Sequence, residues 1–324
     1  MRLHHYIMIG LLLAILASIA ILATLEDVDD FSPYNPLWNG LSRLRVEFKA
    51  SPIPITSLPS LPAGTLVIAG PSRGFSDVEI GVLREFLGRG GTIVILEDYG
   101  SQGYILARRL GLNVEPHPGI LLDPLFYYKD YPLAKVTFWG NVTAYFNYGT
   151  AFRGYNGTCI AYSSRFSFVD FNGNGVYDGG EPSGPLCVAV EARIGLGRLI
   201  VVADSSIAIN SMFTLNTELL RSLLREGSTY ILGDRWDRSL YSTIRSNLVT
   251  LYTTVTGTQL RYVVIVTLIA LFPLIARVAR TLRVGGVEGL EYEVKSLLSR
   301  HPTWREEDLR RILRDLYEVR GSKG

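Results

Sequence analysis

The stretch Asp170–Glu181, DFNGNGVYDGGE, carries oxygen-bearing side chains at a spacing that suits a hard divalent cation. Asp170, Asn172, Asn174, Asp178 and Glu181 fall at places 1, 3, 5, 9 and 12 of a calcium loop, and Gly175 at place 6 allows the sharp turn. The expected ligands are those five side chains and the carbonyl oxygen of Val176. Two of the ligands are neutral amides, so the expected affinity is modest, about 10⁻⁴–10⁻³ M as in extracellular modules. The competing reading is a plain hairpin loop, since Asp, Asn and Gly are turn residues in any case. The flanks, YSSRFSFV and PLCVAVEA, read as strands, so the loop is not set between the helices of an EF-hand. It is expected to act as a structural staple.

A second set of polar residues follows three apolar runs. TLVIAG, GGTIVIL and GRLIVVAD read as strands covered on both faces. Ligands collect beyond the carboxyl ends of such strands. Ser72 follows the first run, Asp98, Tyr99 and Ser101 the second, and Asp204, Ser205 and Asn210 the third, and these are the candidate ligand-binding residues. No catalytic residues are assigned. His117 is the single histidine of residues 26–260 and lies between prolines, and GSQG lacks the spacing of a nucleophile elbow.

The elements that must position these groups alternate between strand and helix. Ser76 and Asp77 can cap a helix in which Val78, Val82, Leu83 and Phe86 share a face, ending near Gly88. SQGYILARRLG is a second helix, and a third is expected from about Asn216 to Arg225. A short helix near Leu41 and a strand near Val46 are expected in the Pro- and Ser-rich segment before them. This alternation implies a parallel sheet with right-handed crossovers. Residues 119–193 lack helical periodicity and are rich in aromatics, so they read as a β-rich insertion. Aromatic platforms there could bind sugars, although aromatic strands are more often core.

The two cysteines, Cys159 and Cys187, bracket the calcium-type loop. In an oxidising compartment they are expected to pair, with two buried free thiols as the alternative. The closed loop of about 29 residues would contribute roughly 3–4 kcal/mol on the chain-entropy account. Asn141 and Asn156 head NVT and NGT, which are glycosylation acceptor patterns.

Hydrophobic residues make up 48% of the 324 residues and charged residues 19%. Tyr6–Leu25 is uncharged for twenty residues, enough to cross a bilayer, with a cleaved signal peptide as the rival reading. Residues 258–276 form a second apolar run, followed by Arg277, Arg280 and Arg283. The expectation is a two-pass cell-membrane protein: an anchor at 1–25, an outer domain at 26–257, a second span at 258–276, and a cytoplasmic tail at 277–324. In the tail, Leu290, Val294, Leu297 and Leu298 share a face, Thr303 and Glu306 suggest a capping box, and Leu309, Ile312, Leu313 and Leu316 repeat at helical spacing. Residues 285–320 are therefore expected to dock a cytoplasmic protein partner, with a membrane-surface hairpin as the alternative. No basic patch suggests nucleic acid.

The segments DFSPYNPLWNGLSRL, TLVIAGPSRGFSDVEIGVLREFLGRGGTIVILEDYGSQGYILARRLGL and GLGRLIVVADSSIAINSMF resemble membrane-anchored proteins of domain-of-unknown-function family 4350. The resemblance implies a fold similar to class I glutamine amidotransferases, a flavodoxin-like parallel sheet, and an association with a MoxR-type AAA ATPase. The amidotransferase triad does not carry over: EDYGSQG follows Leu96 in place of a cysteine elbow, and no His-x-Glu pair occurs. The function expected on these grounds is a non-enzymatic binding or scaffold domain stabilised by calcium, with a tail that docks a partner. Two alternatives are a hydrolase using the polar residues at the strand ends and a glycan or peptide sensor built on the aromatic insertion.

Overall fold

The computed structural model describes residues 26–224, 227–259, 262, 292, 294–301 and 303–321. The chain divides into two compact units: Leu25–Ile244, and Met1–Thr24 with Arg245–Gly324. The first unit holds the strands β1 (Ser51–Ile53), β2 (Thr65–Ala69), β3 (Thr92–Leu96), β4 (Val114–Pro116), β5 (Ile120–Leu122), β6 (Tyr127–Tyr128), β7 (Asp130–Phe138), β8 (Val142–Tyr145), β9 (Phe152–Tyr155), β10 (Thr158–Ser163), β11 (Phe168–Asp170), β12 (Cys187–Ile194), β13 (Gly197–Val202) and β14 (Thr229–Leu232).

Ten of these strands form one sheet in the order β1-β14-β2-β3-β13-β12-β10-β7-β6, with β8 also paired to β7. From β1 to β13 the neighbours run parallel. From β13 to β6 they run antiparallel. The expected parallel sheet is thus a mixed one, and strands β6, β7, β8, β10 and β12 of the β-rich insertion extend it. The physical cause is the tight turn between β12 and β13, where Ile194 pairs with Gly197 and Gly195 takes φ +62°. A two-residue connection can only join antiparallel strands. Two small ribbons, β5–β11 and β4–β9, complete the insertion.

The centre of the sheet behaves as its composition dictates. All five residues of β2 and all five of β3 are buried. Helix Asp77–Gly88 buries Ile80, Leu83, Phe86 and Leu87, whereas Val78, expected on that face, is 78% exposed. The Ser76 cap forms as a full capping box, with Ser76 N–H donating to Glu79 Oε2 at 2.8 Å. Phe86 is wholly buried and meets the edge of Tyr230 on β14, a strand not anticipated from the sequence. A side chain of that size contributes about 1.5–3 kcal/mol when buried. The expected strand near Val46 is instead the helix Ser42–Glu47. The strand comes later, at β1, where Pro52 is tolerated because the strand lies on the sheet edge. The third expected helix runs Phe213–Leu223.

The structure does not support two flanking membrane helices or the two-pass localisation built on them. Among the described residues no helix is long and apolar enough to cross a membrane. The expected spans Tyr6–Leu25 and 258–276 lie outside the described residues, apart from positions 258, 259 and 262. In the second unit, helix Glu306–Gly321 starts at Glu306, so the Thr303 capping box does not form.

Candidate functional site

The calcium-type loop leaves β11 at Asp170 and is held at its base by the chain around it. Phe168 pairs with Leu122 of β5 on one side and bridges Ser183 on the other. The cysteines expected to bracket this region do pair: Cys159 of β10 and Cys187 of β12 form a disulfide with Cα atoms 6.0 Å apart.

Within the loop, Asp170 is 4% exposed, and its Oδ1 accepts the backbone N–H groups of Asn172 (3.2 Å) and Gly173 (2.7 Å). Its Oδ2 accepts the N–H of Gly175 at 2.7 Å. Burial opposes the charge, but these backbone donors outweigh it and hold the Asp170 pKa below the usual carboxylate value. The turn then repeats itself. Asn172 Oδ1 accepts Asn174 N–H at 3.0 Å, and Asn174 Oδ1 accepts Val176 N–H at 2.8 Å. The amides of Asn172 and Asn174 both donate to Asp178 Oδ2, at 2.7 and 2.9 Å. Glu181 closes the loop, its Oε1 accepting Phe171 N–H (2.8 Å) and its Oε2 Asp178 N–H (3.0 Å).

This arrangement fits a cation on one count. Asp170 Oδ2, both Asn Oδ1 atoms and both Glu181 oxygens each accept one of these N–H donors, and an sp² oxygen has two lone pairs. The acids alone do not suffice: among the described residues no group of three or more His, Cys, Asp or Glu is placed to hold a metal ion. The asparagines and the Val176 carbonyl would have to complete the set.

The strand-end rim is only partly assembled. Ser205 Oγ donates to Asp98 Oδ2 at 2.6 Å, which joins the ends of β3 and β13. Asp204 is fully buried; Oδ2 accepts Asn147 N–H at 2.6 Å and Oδ1 accepts Ser206 N–H at 2.7 Å. Burial, with the Asp98 charge adding to it, pushes Asp204 up to about 8 against those donors. Glu97, absent from the expected set, lies beside them at 2% exposure and is pushed by burial up to about 7. Its side chain fits because Gly100 and Gly103 have no Cβ; one built at either would come within 3 Å of the carboxylate. Burial and the charges of Asp98 and Asp204 raise Tyr99, whose hydroxyl donates to Gly149 O.

The remaining expected residues lie elsewhere. Ser72 donates to Arg235 O at 3.0 Å, and Ser101 precedes helix Gln102–Leu110. Asn210 is a buried clamp: it donates to Asn35 O at 3.0 Å and accepts Arg43 N–H at 2.9 Å. Asn141 is exposed at the end of the short 3-10 helix Trp139–Asn141, whereas the Asn156 side chain accepts Asn113 N–H at 2.8 Å. His117 sits near Phe171, ring centroids 6.0 Å apart, and burial and then the Arg153 charge lower its pKa.

A cleft within the aromatic insertion adjoins the loop. This open cleft of about 560 Å³ is lined by Tyr131, Arg165, Phe166 and Phe168 and, from the loop itself, by Val176 and Tyr177. The aromatic richness of 119–193 was its signal in the sequence, but the convergence of residues 124, 131, 166 and 177 is a tertiary property.

The family described as a domain of unknown function, DUF4350, matches residues 33–224. The chain belongs to the DUF4350 family. That match runs from the segment ahead of helix Ser42–Glu47 to the end of helix Phe213–Leu223. No curated protein matches the sequence. Among solved structures, the DUF4350 chain is similar to the mmIFT52 N-terminal domain at 16% identity, covering 56% of this chain and 84% of that one, with a TM-score of 0.41. The exo-β-1,4-mannosidase Op5Man5 from Opitutaceae bacterium strain TAV5 shows 12% identity over 50% of this chain and 25% of the enzyme, TM-score 0.29. A β-galactosidase from Bacillus circulans sp. alkalophilus shows 13% identity over 48% of this chain and 22% of the enzyme, TM-score 0.28. Likenesses this distant carry no argument about activity.

Proposed function

We propose that the DUF4350 domain is a non-enzymatic binding module whose Asp170–Glu181 loop takes a calcium ion, with the adjoining cleft as its ligand site. The observation that carries this reading is the hydrogen-bonded organisation of the loop, in which Asp170, Asn172, Asn174 and Asp178 are already tied to one another or to the intervening N–H groups. A ligand set organised in advance loses less freedom when the ion arrives. The strand-end rim supports the non-enzymatic side: both Asp204 oxygens accept backbone N–H groups, and Ser205 is engaged with Asp98. The cysteines are joined in the disulfide and offer no thiolate nucleophile.

The test is a thermal and urea melt of the full chain with 10 mM calcium against chelator. A Kd of ~10⁻⁴–10⁻³ M implies a gain of roughly 1–3 kcal/mol. Asp170→Ala should remove that gain. Identical curves for the parent chain in calcium and in chelator would refute the cation reading.

The tail supports a second proposal, that residues 285–320 dock a protein partner. Around helix Glu306–Gly321, an open cleft of about 610 Å³ is lined by Leu297, Trp304, Leu309 and Ile312, with Trp304 and Ile312 about half exposed. The partner implied by the family resemblance is a MoxR-type AAA ATPase. Biolayer interferometry with such a purified ATPase should show binding to the full chain and none to a chain ending at 284. Equal binding to both would exclude the tail as the docking element.

A further inference from the structure

We infer that the cleft beside the loop binds a carboxylated oligosaccharide, and that calcium in the loop controls the affinity; this rests on the calcium reading above. The cleft volume of about 560 Å³ lies within the ~300–1,000 Å³ range of small-molecule sites. Its rings are fixed by ring neighbours. Phe166 stacks on Phe126 with centroids 6.0 Å apart, Tyr177 meets Phe168 edge-on at 5.7 Å, and Tyr131 meets Tyr127 at 5.0 Å. Phe166, Tyr177 and Tyr131 still remain 47%, 50% and 42% exposed. Half-exposed rings, each set against a neighbouring ring, offer flat apolar faces to the C–H faces of pyranose rings.

The polar groups of the lining define the rest of the ligand. Arg165 is exposed and has no ion-pair or hydrogen-bond partner among the described residues, and no acid lines the cleft. Its planar fork suits a carboxylate better than a neutral hydroxyl. The Tyr131 and Tyr177 hydroxyls likewise have no partner among the described residues, so they can donate to ligand oxygens. An extended peptide is disfavoured because β11 offers no free edge: Phe168 is paired with Leu122 on one side and Ser183 on the other.

Calcium enters through shared residues. Gly175, Val176 and Tyr177 line the cleft and also occupy the sixth to eighth places of the loop. Gly175 N–H is held by Asp170 and Val176 N–H by Asn174, so the cation ligands also set the cleft wall. A bound divalent ion would also add positive charge beside an anionic ligand. Linkage then makes the coupling reciprocal: the oligosaccharide must tighten calcium by the same factor.

The experiment is calorimetric titration of the full chain with tetragalacturonate, in calcium and in chelator. Binding is expected in calcium and at least about tenfold weaker in chelator, a coupling of ~1.4 kcal/mol. Arg165→Ala, at an exposed position outside the loop, should weaken binding about tenfold or more while leaving the calcium-induced melting shift intact, and Tyr177→Phe, which keeps the ring against Phe168, should weaken binding through loss of its hydroxyl. A neutral cellotetraose should bind more weakly than the acidic sugar. If calcium raises the melting temperature but tetragalacturonate does not bind, or an acidic peptide binds in its place, the ligand assignment is overturned while the calcium reading stands. Equal affinity in calcium and chelator overturns the coupling. Absence of any calcium-induced melting shift overturns the underlying reading itself.

Discussion

Asp170 Oδ2 accepts the backbone N–H of Gly175, five residues along the chain, at 2.7 Å, and Gly175 holds φ at +76°. Neither part of this relationship is independent of the other: the left-handed turn at Gly175 aims its N–H back at Asp170. A Cβ at Gly175 would meet nothing within 4 Å, so Gly175→Ala introduces backbone strain without a clash. The expected cost is about 1–2 kcal/mol, read by urea denaturation, together with a smaller calcium-induced gain. Gly179→Ala is the control, since Gly179 has no positive φ and equally open surroundings. Equal losses for the two variants would show that the turn does not depend on Gly175.

Glu97 and Asp204 make stability fall as pH rises. Both have folded pKa values above their ordinary values of 4.5 and 3.8, at about 7 and about 8, with burial as the main cause. Each therefore contributes stability that is fully present below about pH 4 and is lost as pH passes the folded value. For Glu97 the conversion gives roughly 3 kcal/mol across that window. Glu97→Gln, which keeps an acceptor for Gly103 N–H, should flatten the stability profile between about pH 4 and 7. Urea melts at unit steps of pH measure this, and an unchanged slope in the variant would rule out Glu97 as a source.

Asn216 closes the outer side of β8. It is fully buried, its Oδ1 accepts Tyr145 N–H at 2.8 Å, and its Nδ2 donates to Tyr145 O and Ile207 O, both at 2.9 Å. The side-chain amide thus does for Tyr145 what a further strand would do. Asn216→Ala leaves three backbone groups without these partners, an expected loss of about 2–4 kcal/mol by denaturant unfolding. A loss below about 0.5 kcal/mol would mean that water takes over the role.

The sequence exposed what depends on local pattern. The runs at β2, β3 and β13 were visible because strands buried on both faces are continuously apolar, and the Ser76–Glu79 cap because its spacing is fixed by one helical turn. The calcium-type loop was legible for the same reason, since its positions lie within twelve consecutive residues. What failed depended on distant partners. Asn210 looked like part of the strand-end rim, yet its partners Asn35 and Arg43 lie more than 160 residues away. Glu97 carries no local signal in the sequence, because its burial depends on two glycines folding back on it. The mixed sheet was hidden in the turn at Gly195, which sets β12 against β13, and in the separate antiparallel pairings of β10, β7 and β6 beyond it.

The disulfide and the cation should stabilise the same segment by different means. Cys159 and Cys187 enclose β11 and the whole Asp170–Glu181 loop within 28 positions. On the chain-entropy account the bridge acts on the unfolded chain, and removing it should cost roughly 3–4 kcal/mol. A cation would act on the folded loop, whose base is held separately by the Phe168–Leu122 pairing, the Phe168–Ser183 bridge and the bond from Val169 N–H to Pro182 O at 3.0 Å. The Cys159→Ala, Cys187→Ala double variant, which places no polar group in the two buried positions, should therefore unfold at lower urea yet keep the full calcium-induced gain. If the variant loses that gain as well, the sheet does not hold the loop ends in place and the bridge is what shapes the site. If it loses no stability, the entropic account of the bridge fails, because strands β10 and β12 would already keep their ends together in the unfolded ensemble.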